Sequence, residues 1–244
     1  APELTLDWHP FKQMAEMTRL MRSQATVTGA VMGISWFWYV GSTVLAQLPN
    51  FTRYALGGNE RVVILLLTNF AVAISIGAAI CAAVSRGKVE TGLVLLGSLG
   101  MSLFTADLYF MRGGAMAVSS GSLLSPWELA TGPTSGLFIR TSIDLFMTGI
   151  CSAFFIVPLY ALMQQRSDPS LRSRVIAINN VYNSVFMVVS ALVAMAVFKA
   201  GLTTLDLMLL TAVLNLGFAF VLSVTNREFP QRLRLMLPFG ASGG

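Results

Sequence analysis

The sequence predicts an all-α membrane protein built as a bundle of six spanning helices, and three observations carry that prediction. Apolar residues make up 55% of the 244 and charged residues only 11%, against roughly 25% charge in a soluble domain; the mean hydropathy is +0.71. The apolar residues fall into six long stretches, at 25–48, 61–84, 91–110, 139–163, 175–199 and 205–225, each close to the ~20 residues that a helix needs to cross a bilayer. Each stretch is apolar all round with scattered Gly, Ser and Thr. That suits helices packed among helices in lipid, not barrel strands of about 10 residues with a period of two.

The chain divides accordingly into a connector at 1–24, a six-helix bundle at 25–225 and a basic tail at 226–244. In the connector, Phe11, Met14, Met17, Leu20 and Met21 cluster on one side of a helix while Lys12, Glu16, Arg19 and Ser23 take the other. This is the pattern of an amphipathic helix at a membrane surface, or of a linker packed on a neighbouring domain. The basic-then-apolar order only superficially resembles a signal peptide, because the apolar stretch is too long and leads into further spans. Orientation follows from the loops. A cytoplasmic N-terminus puts Lys12, Arg19, Arg22, Arg86, Lys88, Arg166, Arg172, Arg174, Arg227, Arg232 and Arg234 inside, and Arg53, Arg61, Arg112, Arg140 and Lys199 outside. Eleven basic residues against five, of 16 in all, predict that both termini are cytoplasmic. The net charge of +5 is therefore topological, and its dispersal over loops points to no nucleic-acid partner.

An acid at mid-span costs roughly 2.5–3.5 kcal/mol on insertion scales, so polar residues inside spans mark the candidate site. Asp107 lies near the outer end of the third span and Asp144 one turn into the fourth, with Arg112 and Arg140 at the same level. Arg140, Asp144, Thr148 and Ser152 follow at intervals of four and share one helix face. Such a stripe suits a substrate path, or else ends as an ion pair at the helix terminus. Asn179 and Asn183, also four apart, tie helices together or meet a ligand headgroup. Trp36 and Tyr39, among Ser35, Trp38, Ser42 and Gln47, form an aromatic-polar mixture that receives an amphiphile or simply packs. Gly29 with Gly33, and the stripe Ala71, Ser75, Ala79 and Ala83, read as packing seams. Pro158 predicts a kink or hinge in the fourth span.

Enzyme chemistry finds no support. The single histidine, His9, precedes the first span, which leaves no His-ligated cofactor and no histidine-based catalytic pair among the spans. Cys81 and Cys151 lie in apolar stretches without CxxC spacing and read as buried thiols. No GxxxxGK[ST] loop occurs. The expectation is a non-enzyme with no catalytic residue, metal or cofactor.

Three segments, MGISWFWYVGSTVLAQLPNF, LLGSLGMSLFTADLYF and FFIVPLYALMQQRSDPSLRSRVIAINNVYNSVFMVVSALV, resemble the C-terminal six-helix half of lysophospholipid transporters in the major facilitator superfamily. The resemblance covers nearly the entire chain and is nearest to the version fused to a glycerophospholipid acyltransferase. It implies helices seven to twelve of a twelve-helix design, in which substrate passes between two six-helix bundles by alternating access. It further implies a bacterial-type inner membrane, membrane lipids as partners, and lysophospholipid, notably lysophosphatidylethanolamine, as the substrate returned to the inner leaflet for reacylation. The second bundle would come from another chain, a second copy or further sequence.

On the same analogy the loop with Arg86 and Lys88 is a shortened form of the superfamily's basic gating loop. Asp107, Arg112, Arg166, Asp168 and Arg172 join it as candidates for ion pairs or gating. The stretch 111–138 is longer and richer in Gly and Ser than the family's, which suggests an added contact or a mobile segment. The HxxxxD signature of the fused acyltransferase is missing, since His9 is followed at that interval by Met14. Three readings stand: half of a lipid transporter, a structural or assembly subunit of a larger membrane complex, or the membrane segment of a fused acyltransferase.

Overall fold

The computed structural model describes residues 25–85, 87–111 and 123–236; the amphipathic connector, Arg86 and Arg112 lie outside the described residues. In chain order the helices are α1 (Ala25–Phe51), α2 (Glu60–Ser85), α3 (Gly92–Tyr109), the short α4 (Pro126–Thr131), α5 (Ser135–Arg166), α6 (Arg172–Lys199), α7 (Thr204–Thr225) and the short α8 (Glu228–Met236). The six long ones are each apolar and long enough to cross a membrane. The chain is thus a multi-pass helical membrane protein, and no strand occurs among the described residues. Below, the bundle's two ends are named the Tyr54 end and the Arg166 end.

Helix ends differ from expectation where side chains intervene. The first span runs past 48, through Pro49 to Phe51, and adds one π-helical turn at Thr52–Leu56 before Gly57, at φ 70°, stops it. Proline removes a single backbone donor, while Phe51 and Leu56 are fully buried, so packing carries the helix beyond it. Pro158 likewise sits buried within an uninterrupted α5. At α7, Thr203 Oγ1 accepts from the Asp206 amide (3.3 Å) and Asp206 Oδ2 from the Thr203 amide (2.8 Å), a reciprocal cap that satisfies two otherwise orphaned donors. The long loop does add a contact: Leu124 donates to Gly57 O (2.8 Å) and accepts from the Asn59 amide (2.9 Å). Ser125, Pro126 and Glu128 then start α4 with a second reciprocal cap, whose backbone hydrogen bond holds the Glu128 carboxyl below its usual range.

The long helices fall into two triplets, α1–α2–α3 and α5–α6–α7, whose mutual contacts are unchanged when the triplets are exchanged. The pair α1·α6 corresponds to α5·α2, and α1·α7 to α5·α3, while α1·α5 and α3·α7 are their own images. Gly33 meets Leu159 and Phe37 meets Phe155, so α1 and α5 run antiparallel and the two triplets are mutually inverted. The centre of this arrangement is α5, which touches α1, α2 and α3. Its spanning window and that of α3 are 56% buried, against 22% for α2 and α6.

Gly29 and Gly33 are close approaches, as their spacing predicts, but to two partners: a Cβ on Gly29 would lie 2.6 Å from Asn226, and one on Gly33 2.8 Å from Leu159. The stripe Ala71, Ser75, Ala79 and Ala83, in contrast, lies on the exposed face of α2. The seam runs instead along Leu66, Phe70, Ala73, Gly77 and Cys81. Lipid and protein are equally apolar surroundings, and it is Gly77, with no side chain, that admits the α5 backbone. Of the predicted tail, the described residues 226–236 dock on the bundle. Phe229 is buried, and α8 crosses the start of α3 at Gly92, where a Cβ would meet the Leu233 nitrogen at 2.7 Å.

Candidate functional site

Two polar ties join α1 to α6. Ser35 meets Asn183 at 3.0 Å and Ser42 meets Ser190 at 2.7 Å. Both pairs are 148 residues apart and successive ties lie seven residues along each helix, so the helices run parallel and in register, as in a coiled coil. The Asn183 amide is satisfied in the orientation where Nδ2 donates to Ser35 Oγ and to Asn179 O, and Oδ1 accepts from Asn179 Nδ2 and Trp38 Nε1. Asn179 and Asn183 thus act together on the α1–α6 seam. Trp36 stacks between Tyr39 and Phe218, at 4.8 Å from each ring. Its indole nitrogen donates to Asn215 Oδ1 (2.8 Å), and Asn215 Nδ2 donates to Ser98 O (2.9 Å) and Ser102 Oγ (2.8 Å). One asparagine therefore ties α1, α7 and α3. Interhelical hydrogen bonds of this kind are worth about 0.6–2 kcal/mol each in a membrane.

A charged group sits apart from this network, at the Tyr54 end. Arg140 grips Asp107 through two bonds, Nε to Oδ2 (2.8 Å) and a terminal nitrogen to Oδ1 (2.5 Å). Both side chains are partly exposed, so the pair fixes the geometry of α3 against α5 more than it stabilises it. Asp144, one turn further along α5, is only 4% exposed, within electrostatic reach of Asp107 and Arg140. Its Oδ2, like Thr148 Oγ1, has no hydrogen-bond partner among the described residues. Ser152 is buried on the same stripe. The predicted stripe is therefore real as a buried face, but Arg140 turns from Asp144 to bind across to Asp107. The gating candidates at the Arg166 end are dispersed. Arg166 approaches Glu228 at 3.9 Å, and Lys88 and Arg172 are exposed. Asp168 accepts from the Ser170 hydroxyl (2.6 Å) and amide (2.8 Å), which together hold its carboxyl below the usual range.

Beside the Ser42–Ser190 tie a groove opens on α1 and α6. A cavity of about 450 Å³ lies between them, lined by Ser42, Ala46, Met187, Ala191 and Met195 among others. A second, of about 540 Å³, continues at the Tyr54 end between Asn50, Tyr54, Met111, Thr203 and Leu205. Phe198 lines both, so the two abut at this side chain. Asp144, Thr148 and Ser152 line neither cavity.

The sequence reading missed Asn215 and Ser190, and the groove wall at Met187, Met195 and Phe198. Asn215 had a signal, being a lone amide in the middle of an apolar span; the groove had none beyond the matching seven-residue spacings of Ser35 with Ser42 and Asn183 with Ser190. Among the described residues no group of three or more His, Cys, Asp or Glu side chains is placed to hold a metal ion, and Cys81 and Cys151 are free and buried. No family model, no curated protein and no solved structure matches the chain.

Proposed function

We propose that this chain is one half of an alternating-access transporter that moves a lysophospholipid across the cytoplasmic membrane together with a second six-helix bundle. The observation that carries the reading is the pair of inverted triplets: helix contacts are preserved when α1–α2–α3 and α5–α6–α7 exchange places, and inverted three-helix repeats are a recurring plan of secondary transporters. The sparse burial of α2 and α6, with Asn180 and Ser184 exposed on α6, supports a second bundle seated on these helices. On this reading the Tyr54 end faces outward and the Arg166 end, with its basic loops, faces the cytoplasm.

The test is transfer of labelled lysophosphatidylethanolamine between leaflets of proteoliposomes, with the chain alone and with the N-terminal half of a lysophospholipid transporter supplied beside it. Transfer is expected only with both halves, and its absence from both preparations sinks the proposal. Asp144→Asn reduces that transfer if the buried acid lies on the path. The same exposed faces favour a second reading, an assembly subunit, which predicts a stoichiometric complex with unrelated membrane proteins in mild detergent and no transfer.

A further inference from the structure

The α1–α6 seam is tied at Ser35–Asn183 and at Ser42–Ser190, and a cavity opens beside the second tie toward the Tyr54 end. We propose that this opening holds the single acyl chain of a lysolipid drawn from the leaflet at the Tyr54 end, with the lipid phosphate at Arg53; the substrate class rests on the transporter reading above.

Depth is the first argument. Ser42 lies nine residues before the end of α1 at Phe51, which at 1.5 Å per residue is roughly 14 Å, or about half of a ~30 Å hydrocarbon core. The Ser42–Ser190 tie thus lies near the bilayer midplane, and the groove, which reaches past it only as far as Met187, is about one leaflet deep. Width is the second. Its walls are two parallel helices whose lining positions include the small side chains of Ala46, Ala191 and Ala194, which leave space between the helices for hydrocarbon. Lining is the third: Met187, Met195 and Phe198 present flexible, polarisable surface that adapts to a hydrocarbon of variable length, within the roughly 300–1,000 Å³ of ligand pockets.

The mouth has matching chemistry. Asn50, Thr203 and Thr204 bring polar groups to the rim, and the exposed Arg53 stands beside Tyr54, its guanidinium 6.0 Å from the ring centroid. A guanidinium recognises a phosphodiester through paired, charge-assisted hydrogen bonds. The acid nearest this rim in the chain, Asp206, is engaged in the Thr203 cap.

The experiment uses the purified chain in nanodiscs of diacyl phosphatidylcholine, with a lysophosphatidylethanolamine that carries a diazirine at the end of its acyl chain. After photolysis the adducts are mapped by mass spectrometry. Adducts are expected in 42–55 and 187–198, competed by unlabelled lysophosphatidylethanolamine and not by diacyl phosphatidylethanolamine. Ala191→Phe and Ala46→Phe, filling the groove from opposite walls, each reduce labelling about tenfold; thermal melts of both confirm that the bundle still folds. Arg53→Gln raises the concentration for half-maximal labelling several-fold and leaves a diazirine-bearing monoacylglycerol, which has no phosphate, unaffected.

Labelling spread evenly over the exposed faces of α2 and α3, and indifferent to both Phe variants, overturns the inference. Because the readout is binding, it separates from transport. Groove labelling without leaflet transfer upholds the site and removes the transporter reading, whereas transfer with scattered labelling does the reverse.

Discussion

The α1–α6 and α2–α5 seams are images of one another in the two triplets, yet they lean on different contacts. Along α2–α5 the backbones touch. A Cβ on Gly77 would lie 2.8 Å from the Ile150 backbone, and one on Gly149 2.8 Å from Phe70 O, so close approach through missing side chains holds the pair, with one added tie where Asn69 Nδ2 donates to Ser142 O (2.7 Å). Along α1–α6 the contacts include hydroxyl and amide ties, Ser35 with Asn183 and Ser42 with Ser190, and a groove opens beside the second. Dispersion between touching backbones falls by about a quarter to a half over a gap of up to an ångström, which makes a glycine seam sensitive to any opening along its length. A tie of two side chains fastens one level and leaves the next free to open. One scaffold, used twice, therefore supplies a fixed seam and an openable one.

The comparison breaks most severely at the glycines. Gly77→Leu forces a branched side chain into the α5 backbone, and overpacking of this kind costs about 1–3 kcal/mol or more. The expected result is a large fall in Tm by fluorescence-detected size exclusion, or loss of the monodisperse peak. A methyl group added at Gly41, on α1, would meet nothing within 4 Å, and Gly41→Ala leaves Tm unchanged or higher. A Gly77→Leu protein as stable as the parent would show that the fixed seam is not fixed by contact.

Next comes Asn183→Leu, which leaves Ser35 and Trp38 without an acceptor or donor on α6 and should cost about 1–2 kcal/mol while lipid binding in the groove persists. If Tm stays within a degree of the parent, the polar tie is not what closes the lower seam. Ser42→Ala combined with Ser190→Ala removes only the tie beside the groove, at about 0.6 kcal/mol. Its signature is in mapping: diazirine adducts should extend beyond Ser42 toward Ser35, and an unchanged adduct boundary would deny the tie its role.

The smallest effect lies in the loop that joins α5 to α6. Because Ser170 depresses the Asp168 carboxyl in the folded state, its stabilisation is present above the ordinary value of 3.8 and fades as the pH falls through the lower folded value. Asp168→Ala should lower Tm slightly at neutral pH, with the difference from the parent shrinking in acid. A difference that grows in acid would reverse the assignment.

How much of this was legible depended on which interactions are local. The six spans were plain because about 20 apolar residues in lipid have few alternatives to a helix. Asn179 and Asn183 were marked by their cost inside a span and their shared face. What the sequence left undecided was always a choice between helices. Nothing in Ala71, Ser75, Ala79 and Ala83 distinguishes a lipid-facing stripe from a buried one, since side chains of that size suit both. Arg140 had two carboxylates within range on paper, Asp144 on its own helix and Asp107 on another, and only the antiparallel docking of α3 on α5 decides between them. The groove depends on side-chain volumes on two helices 148 positions apart, a relation that no window along the chain contains.

The crossing at Gly92 has a mechanical consequence. By docking on α3 directly after leaving α7, α8 closes a circuit of three mutually touching helices at the Arg166 end, and Phe229 buries itself to lock the buckle. A buckled pair bends as one beam. Strain applied to this bundle is then relieved where no strap crosses, and the unstrapped edge is the pair of parallel helices that line the groove.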